Sequence, residues 1–311
     1  MRILCLVPGG INEQLLFFPT LESLKNKYPN VLIDVLVEPL AKSAYRICPY
    51  VNEILFFDYQ DRNVSADYLN LVGVIRDRGY DIAITTGNKL ILELLLWSNS
   101  IPWRIGYKTQ TSWFLSHSIT QKEEQYAAET YHDLLLKLNI QPSCPYMKIA
   151  VPKDDISWTE TQLQSLSVKE NGYIAIYGGE NNSYPVSSWI EIINSIQKKE
   201  PSLSIVLLES NTEQTWTKSI LDNCKNLKII NPDNLGKLSA VIAGANLLVC
   251  IDSVPLQLGI AVGTYTIALF SDTKANHKIP TNYDRCIAIQ SPSNQLADIS
   301  SSTILEKIWN G

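Results

Sequence analysis

Apolar residues along this chain come in short, nearly unbroken runs. The first is RILCLV (2–7), followed by VLIDVLVE (31–38), NEILFFD (52–58) and YDIAITTG (80–87). A second series follows: GYIAIY (172–177), LSIVLLES (203–210), LKIIN (227–231), NLLVCID (246–252) and TYTIALF (264–270). Runs of this length without polar alternation predict strands buried on both faces, as in parallel sheets. Between them lie longer stretches with helical spacing. In the first half these are 15–28, 40–48, 66–79, 89–100 and 125–140; in the second, 187–199, 212–224, 235–245 and 254–263. Strand and helix alternate throughout, so the fold class is α/β with doubly wound parallel sheets. PWRIGY (102–107) reads as one further strand.

The segment 141–172 interrupts the alternation. It is rich in Pro and polar residues and carries one helical stretch, DISWTETQLQSL (155–166). This predicts two Rossmann-like domains, 1–155 and 170–300, with a cleft between them, and a C-terminal helix in 301–311. In open α/β sheets, ligands sit beyond the carboxyl ends of the strands. The candidate loops are therefore 8–14, 85–89, 178–184, 209–213, 252–257 and 271–278.

Composition narrows the function classes. The 311 residues are 45% hydrophobic and 18% charged, an ordinary globular balance with material for two cores. A net charge of −5 gives no basic field to hold nucleic acid. Six scattered cysteines without a C-x-x-C pair, and three distant histidines, argue against a disulfide framework or a metal centre. The longest apolar run, KLILELLLW (89–97), is too short and too charged to span a bilayer, and no signal peptide is visible. A reduced cytoplasmic protein is expected.

Three loops carry candidate chemistry. After the first strand comes PGGINEQ, with Gly9, Gly10, Asn12 and a lone acid, Glu13, where a helix begins. Such an acid can be a helix cap, a ligand for a sugar hydroxyl or a catalytic base, and capping is its commonest role. Loop 178–184, GGENNSY, places Gly178 and Gly179 after a strong strand. Its glycines suit a phosphate, but it lacks both the G-x-G-x-x-G and the P-loop spacing, and an ordinary turn fits as well. The third is Asp252-Ser253 before Pro255, a standard helix entry whose positive end would welcome a diphosphate.

The stretch DSVPLQLGIAVGTYTIALF (252–270) resembles, without a gap, the D-S-G-P-M-H-L-A-x-A-L-G-T-P-x-V-A-L-F pattern of glycosyltransferase family 9. This is the family of the ADP-heptose:lipopolysaccharide heptosyltransferases, of GT-B fold. The opening βαβ (2–38), YDIAITTG, IPWRIGY and YHDLLLKLNI are similar to the family's segments. The resemblance implies inverting transfer of heptose or a related sugar from a nucleotide-diphosphate donor to a glycolipid or glycan acceptor. Lipopolysaccharide biosynthesis is the family's setting, and no metal or cofactor is implied. It also implies that the C-terminal helix packs back toward the N-terminal domain.

By the same resemblance Glu13 stands where the family has its Asp base, one methylene longer. A misplacement of about an ångström can cost on the order of a hundredfold in rate. Asn12 replaces a family Gly. On the donor side, Asn182 falls at the family's Lys, Val254 and Gln257 at its Gly and His, and Glu213 at the acid that holds ribose hydroxyls. Lys274, His277 and Lys278 follow the last strand as replacement positive charge or as a solvated loop. The alternative reading is a degenerate relative serving as a binding or assembly scaffold. Peripheral association with the inner face of a membrane or with a protein complex stays open.

Overall fold

The computed structural model describes residues 1–60, 64–110, 112–122, 124–168, 172–179, 184–209 and 214–310. The chain divides into two compact units, Met1–Lys148 and Ile149–Gly311.

The first unit runs β1 (Arg2–Val7), α1 (Ile11–Lys27), β2 (Leu32–Val37), β3 (Glu53–Phe56), α2 (Ser65–Arg78), β4 (Ile82–Thr85), α3 (Leu90–Ser98), β5 (Trp103–Tyr107), β6 (His117–Ile119) and α4 (Ala127–Asp133). Its six strands are all parallel, in the order β3-β2-β1-β4-β5-β6. Strand β1 lies in the middle, and Ile3 to Val7 are buried on both faces, which explains the unbroken apolar run. The polar exception in β2 is Asp34, fully buried. Its carboxylate accepts from Arg2 Nε (2.7 Å), Tyr80 Oη (2.8 Å) and Asn52 Nδ2 (2.9 Å), so the buried charge is paired and solvated by the protein.

Two helices differ from the sequence expectation. The stretch 40–48 forms a 3-10 helix over Pro39–Ile47, with Cys48 as its cap. Ala41, Ala44 and Ile47 sit three apart, eclipse one another in that geometry and are all fully buried. The single helix expected over 125–140 stops at Asp133. Leu134–Leu138 continues as a 3-10 turn that buries Leu135 and Leu138 together, and Asn139 ends it with φ 54°.

The second unit runs α5 (Lys153–Ser165), β7 (Tyr173–Tyr177), α6 (Val186–Lys199), β8 (Ser204–Leu208), α7 (Gln214–Leu221), β9 (Lys228–Ile230), α8 (Leu235–Ala243), β10 (Leu247–Ile251), α9 (Val254–Val262), β11 (Thr266–Phe270), β12 (Cys286–Gln290) and α10 (Ser301–Asn310). Its sheet is again six-stranded and parallel, in the order β12-β11-β10-β7-β8-β9. Helix α5, from the Pro-rich segment, packs on α8. The buried Asp155 carboxylate lies so close to Gly236 that a Cβ there would sit 1.9 Å from Oδ2. Helix α10 packs on α6, with the Ser301 hydroxyl donating to Glu191. Strands β6 and β12 both lie at sheet edges and were not anticipated from the sequence.

Candidate functional site

Each sheet has one point where the chain reverses its direction of winding. In the first it lies between β1 and β4, in the second between β7 and β10. The crevice outside the carboxyl ends of those strand pairs is where open α/β sheets bind ligands. Four of the sequence-predicted loops follow these strands: 8–14 after β1, 85–89 after β4, 178–184 after β7 and 252–257 after β10.

The β1 turn is built from its own hydrogen bonds. Gly9 has φ 107°, a conformation other residues adopt only under strain, and a Cβ there would meet Glu13 Cγ at 2.7 Å. Glu13 Oε2 accepts the Gly10 N–H at 2.9 Å, and Glu13 makes no ion pair among the described residues. The capping geometry is therefore present, and it uses one of the two carboxylate oxygens. Gln14, fully buried, completes the turn. Its Nε2 donates to the Val7 carbonyl (3.0 Å) and the Gly9 carbonyl (3.3 Å), while Oε1 accepts from Tyr45 Oη (2.7 Å). Asn12 is half-buried, and its Oδ1 has no hydrogen-bond partner. From β4, the Thr86 N–H donates to Leu6 O (3.1 Å), and Gly87 closes on Pro8, so the two loops touch. On α4, Tyr131 packs edge-on against Phe17, one helical turn beyond Glu13. Burial, and then the Glu13 charge, push the Tyr131 phenol up to about 12, so it stays protonated.

Sequence reasoning missed Gln14. The only signal was an amide beside an apolar run, EQLLFF, which reads as a helix surface position rather than a buried staple.

The second unit's site is organised differently. Gly178 follows β7, but the space its missing side chain would fill is occupied by protein. A Cβ there would lie 2.2 Å from the Trp216 indole. Trp216 is almost fully buried and joins Trp189 and Tyr184 in an edge-to-face aromatic chain, at 6.2 and 5.2 Å. Gly178 is thus a packing glycine. Gly179 follows with φ 81°. Asn182 and Glu213 lie outside the described residues.

At β10, Ser253 occupies the N-cap position of α9 without capping it. Its hydroxyl donates back to the Ile251 carbonyl at 2.7 Å and makes no capping bond to the helix. In the first turn Pro255 has no N–H, so the donors there are the Val254 and Leu256 N–H groups, which the Ser253 side chain does not cap; Asp252, Ser253 and Val254 beside them are half-buried. Gln257 is 1% exposed. Its Nε2 donates to the Lys278 carbonyl at 3.0 Å, which ties the loop after β11 to α9, while Oε1 has no partner. That loop also carries Lys274 and His277.

Comparison with known proteins gives these features a family. Residues 69–308 match glycosyltransferase family 9 (heptosyltransferase). Lipopolysaccharide heptosyltransferase 3 of Escherichia coli is 22% identical over 84% of this chain and 80% of its own length. The photosynthetic NDH subunit of subcomplex B 1, a chloroplast protein of Arabidopsis thaliana, is 22% identical over 97% of this chain and 72% of its own length. Among solved structures, a family 9 glycosyl transferase from Veillonella parvula superposes with a TM-score of 0.87, at 16% identity, over 99% of this chain and 96% of that one. An E. coli heptosyltransferase with ADP-2-deoxy-2-fluoro heptose gives 0.76, at 15% identity, over 100% and 99%. The two six-stranded parallel sheets are those of the GT-B heptosyltransferase structures. The chain belongs to glycosyltransferase family 9.

Proposed function

We propose that this protein is an inverting glycosyltransferase. Its second unit takes a nucleotide-diphosphate sugar, with heptose or a related sugar on ADP as the leading candidate, and its first unit takes a glycolipid or glycan acceptor. The observation that carries this reading is the uncapped N-terminus of α9 at the β7/β10 switch point. It would offer the Val254 and Leu256 N–H groups and the positive end of the helix dipole to a diphosphate. Lys274 and Lys278, on the loop tied to α9 through Gln257, would add positive charge as the leaving group departs. Gly179, Asp252 and Ser253 would line the same donor site, and Glu213 would hold the ribose.

On the acceptor side, the Glu13 oxygen not engaged by Gly10 takes the proton from the attacking hydroxyl. The acceptor oxygen bonds to the anomeric carbon from the face opposite the diphosphate. The bond from that carbon to the phosphate oxygen breaks, and the nucleoside diphosphate leaves. Helix dipole and lysines carry the leaving-group charge, so the step needs no metal. The site of action is cytoplasmic, at the inner face of a membrane when the acceptor is a lipid. No helix among the described residues is long and apolar enough to cross one.

A second reading has its own support. The relative that covers 97% of this chain is a subunit of an NDH subcomplex. The Trp216 indole fills the space at Gly178, and Val254 and Gln257 replace the family residues at α9. Under this reading the chain keeps the scaffold and serves as an assembly partner. Transfer assays with nucleotide heptoses and hexoses against extracted glycans separate the two. Turnover that drops in Glu13→Gln by about a hundredfold or more supports the enzyme. Turnover unaffected by Glu13→Gln removes Glu13 as the base, and no turnover with any donor favours the assembly role.

A further inference from the structure

A cavity of 520 Å³ opens at the far end of the first unit's sheet from the β1 turn, within the size range of small-ligand sites. It is lined by Met1, Tyr28, Asp81, Trp103, Lys137 and Asn139, among others. Met1 and Asp81 precede β1 and β4, and Trp103 begins β5, so the cavity lies outside the amino ends of these parallel strands. The six residues of β1, about 20 Å, separate it from Gly9, Gly10 and Glu13. We propose that it is a second carbohydrate-binding site, away from the reacting groups, that seats one gluco-configured pyranose ring of a glycan on the Trp103 indole. The proposal stands on the cavity's own residues and holds whether or not the chain transfers sugars.

The indole is a platform with one free face. Trp103 and His117 lie on the same side of the sheet as diagonal neighbours, since His117 opposes Ile105 across the β5/β6 pair. Their rings stack at 4.3 Å with an interplanar angle of 2°. The strand order β1-β4-β5-β6 puts His117 on one side of Trp103 and Met1, Asp81 and Ile82 on the other. The face that His117 leaves uncovered is therefore on the cavity's side, and Trp103 is 40% exposed. An aromatic face carries the negative part of the ring quadrupole, which attracts the weakly positive C–H bonds of a sugar. A gluco-configured ring holds its hydroxyls equatorial and leaves such a C–H face on each side. Buried Ile82 and Leu138 complete the apolar part of the lining.

Polar groups stand around this platform with hydrogen-bonding capacity to spare. Asp81 Oδ2 accepts the Arg2 N–H at 2.7 Å and lies 3.9 Å from the Met1 amino nitrogen, which orients the carboxylate. Its Oδ1 takes no bond among the described residues. The Tyr28 hydroxyl, the Lys137 ammonium and the Asn139 side-chain amide have no partner among the described residues either. Asp81 only accepts, Lys137 only donates, and Tyr28 and Asn139 do both. Each hydroxyl on a pyranose rim also donates and accepts. Both charges are present, so a neutral ring with many hydroxyls uses the whole set, whereas an anion or a cation uses only part of it.

Saturation-transfer NMR on the whole chain tests this with cellotriose, and with sorbitol as a polyol that has no ring C–H face. Cellotriose should show transfer, strongest at its ring C–H protons, and sorbitol none. Trp103→Ala should weaken cellotriose by about tenfold, the worth of one aromatic contact, while Trp103→Tyr keeps a platform and part of the binding. Asp81→Asn keeps an acceptor for the Arg2 N–H and should weaken cellotriose by about twofold to tenfold, the range for one hydrogen bond. Urea unfolding reports the fold of each variant; if Trp103→Ala is unfolded, Trp103→Tyr and Asp81→Asn carry the comparison. No transfer to cellotriose, equal transfer to sorbitol, or binding unchanged in the Trp103 and Asp81 variants overturns the proposal. So does displacement of cellotriose by ADP, which would make the indole a nucleobase platform. The same titration keeps this site apart from the transferase reading. Cellotriose binding without ADP binding leaves the site and counts against the transferase; ADP binding without cellotriose binding does the reverse.

Discussion

The two switch-point loops solve opposite problems. The β1 turn is closed on itself: Gly9 takes the one backbone conformation it needs, Glu13 holds Gly10, and Gln14 holds both Val7 and Gly9. At the β10 turn Ser253 turns its hydroxyl back to Ile251 and does not cap the start of α9. A loop that must hold a reacting carboxylate gains from internal bonds that fix it before substrate arrives. A loop that must receive an anion gains from donors left without protein partners. Under the proposed function the same β-turn-α unit would serve placement in one domain and reception in the other.

Breaking the aromatic packing behind the donor loop has the largest expected effect. Trp216→Ala empties a fully buried site and should cost about 3–5 kcal/mol of stability in urea unfolding. Gly178→Ala forces a methyl into the same indole and should cost about 1–3 kcal/mol. If both variants unfold like the native chain, Gly178 is not a packing glycine and the phosphate reading of that loop returns.

The closed turn should fail at Gln14 next. Gln14→Leu keeps the volume but strands two carbonyls and the Tyr45 hydroxyl, at a cost of about 2–3 kcal/mol. A loss below about 0.5 kcal/mol would show that the turn does not depend on this staple.

A smaller effect sharpens the view of how α1 is held from behind. His132 on α4 is 1% exposed, with Nε2 2.8 Å from the Ser23 hydroxyl of α1. Burial lowers its pKa against the partial opposition of Asp133, so the folded chain prefers it neutral. The unfolded chain takes up that proton near pH 6.5, so stability is present above that pH and is lost as pH falls below it. Acid unfolding of the native chain should begin at higher pH than that of His132→Gln. Coincident profiles would remove His132 as the cause.

The strands were legible because their interiors are buried: past Arg2, β1 is a continuous apolar run, as are β7 and β10, each fully buried but for one end residue. Edge strands β6 and β12 were not, since β6 is a three-residue strand with His117 and Ser118, and β12 is mostly exposed or half-buried along Cys286–Gln290. Helical spacing in 125–140 was real, but the leucines of 134–138 bury better in a tighter 3-10 turn. Glu13, Asp252 and Ser253 could be located from glycine, proline and strand signals alone. What Ser253 does with its hydroxyl could not, nor could the pairing of Gly178 with Trp216. Those are tertiary facts, settled by which atom happens to be nearest.

The most direct test of the contrast between a closed and an open loop is calorimetric titration of the native chain with ADP, UDP and GDP. The account predicts that one of them, with ADP first, binds with a dissociation constant well below about 1 mM and that affinity falls as salt is raised, since an anion is being received at a helix N-terminus. Heat of binding from none of the three at millimolar concentration would contradict it and leave α9 as an ordinary uncapped helix in a protein that no longer transfers sugars.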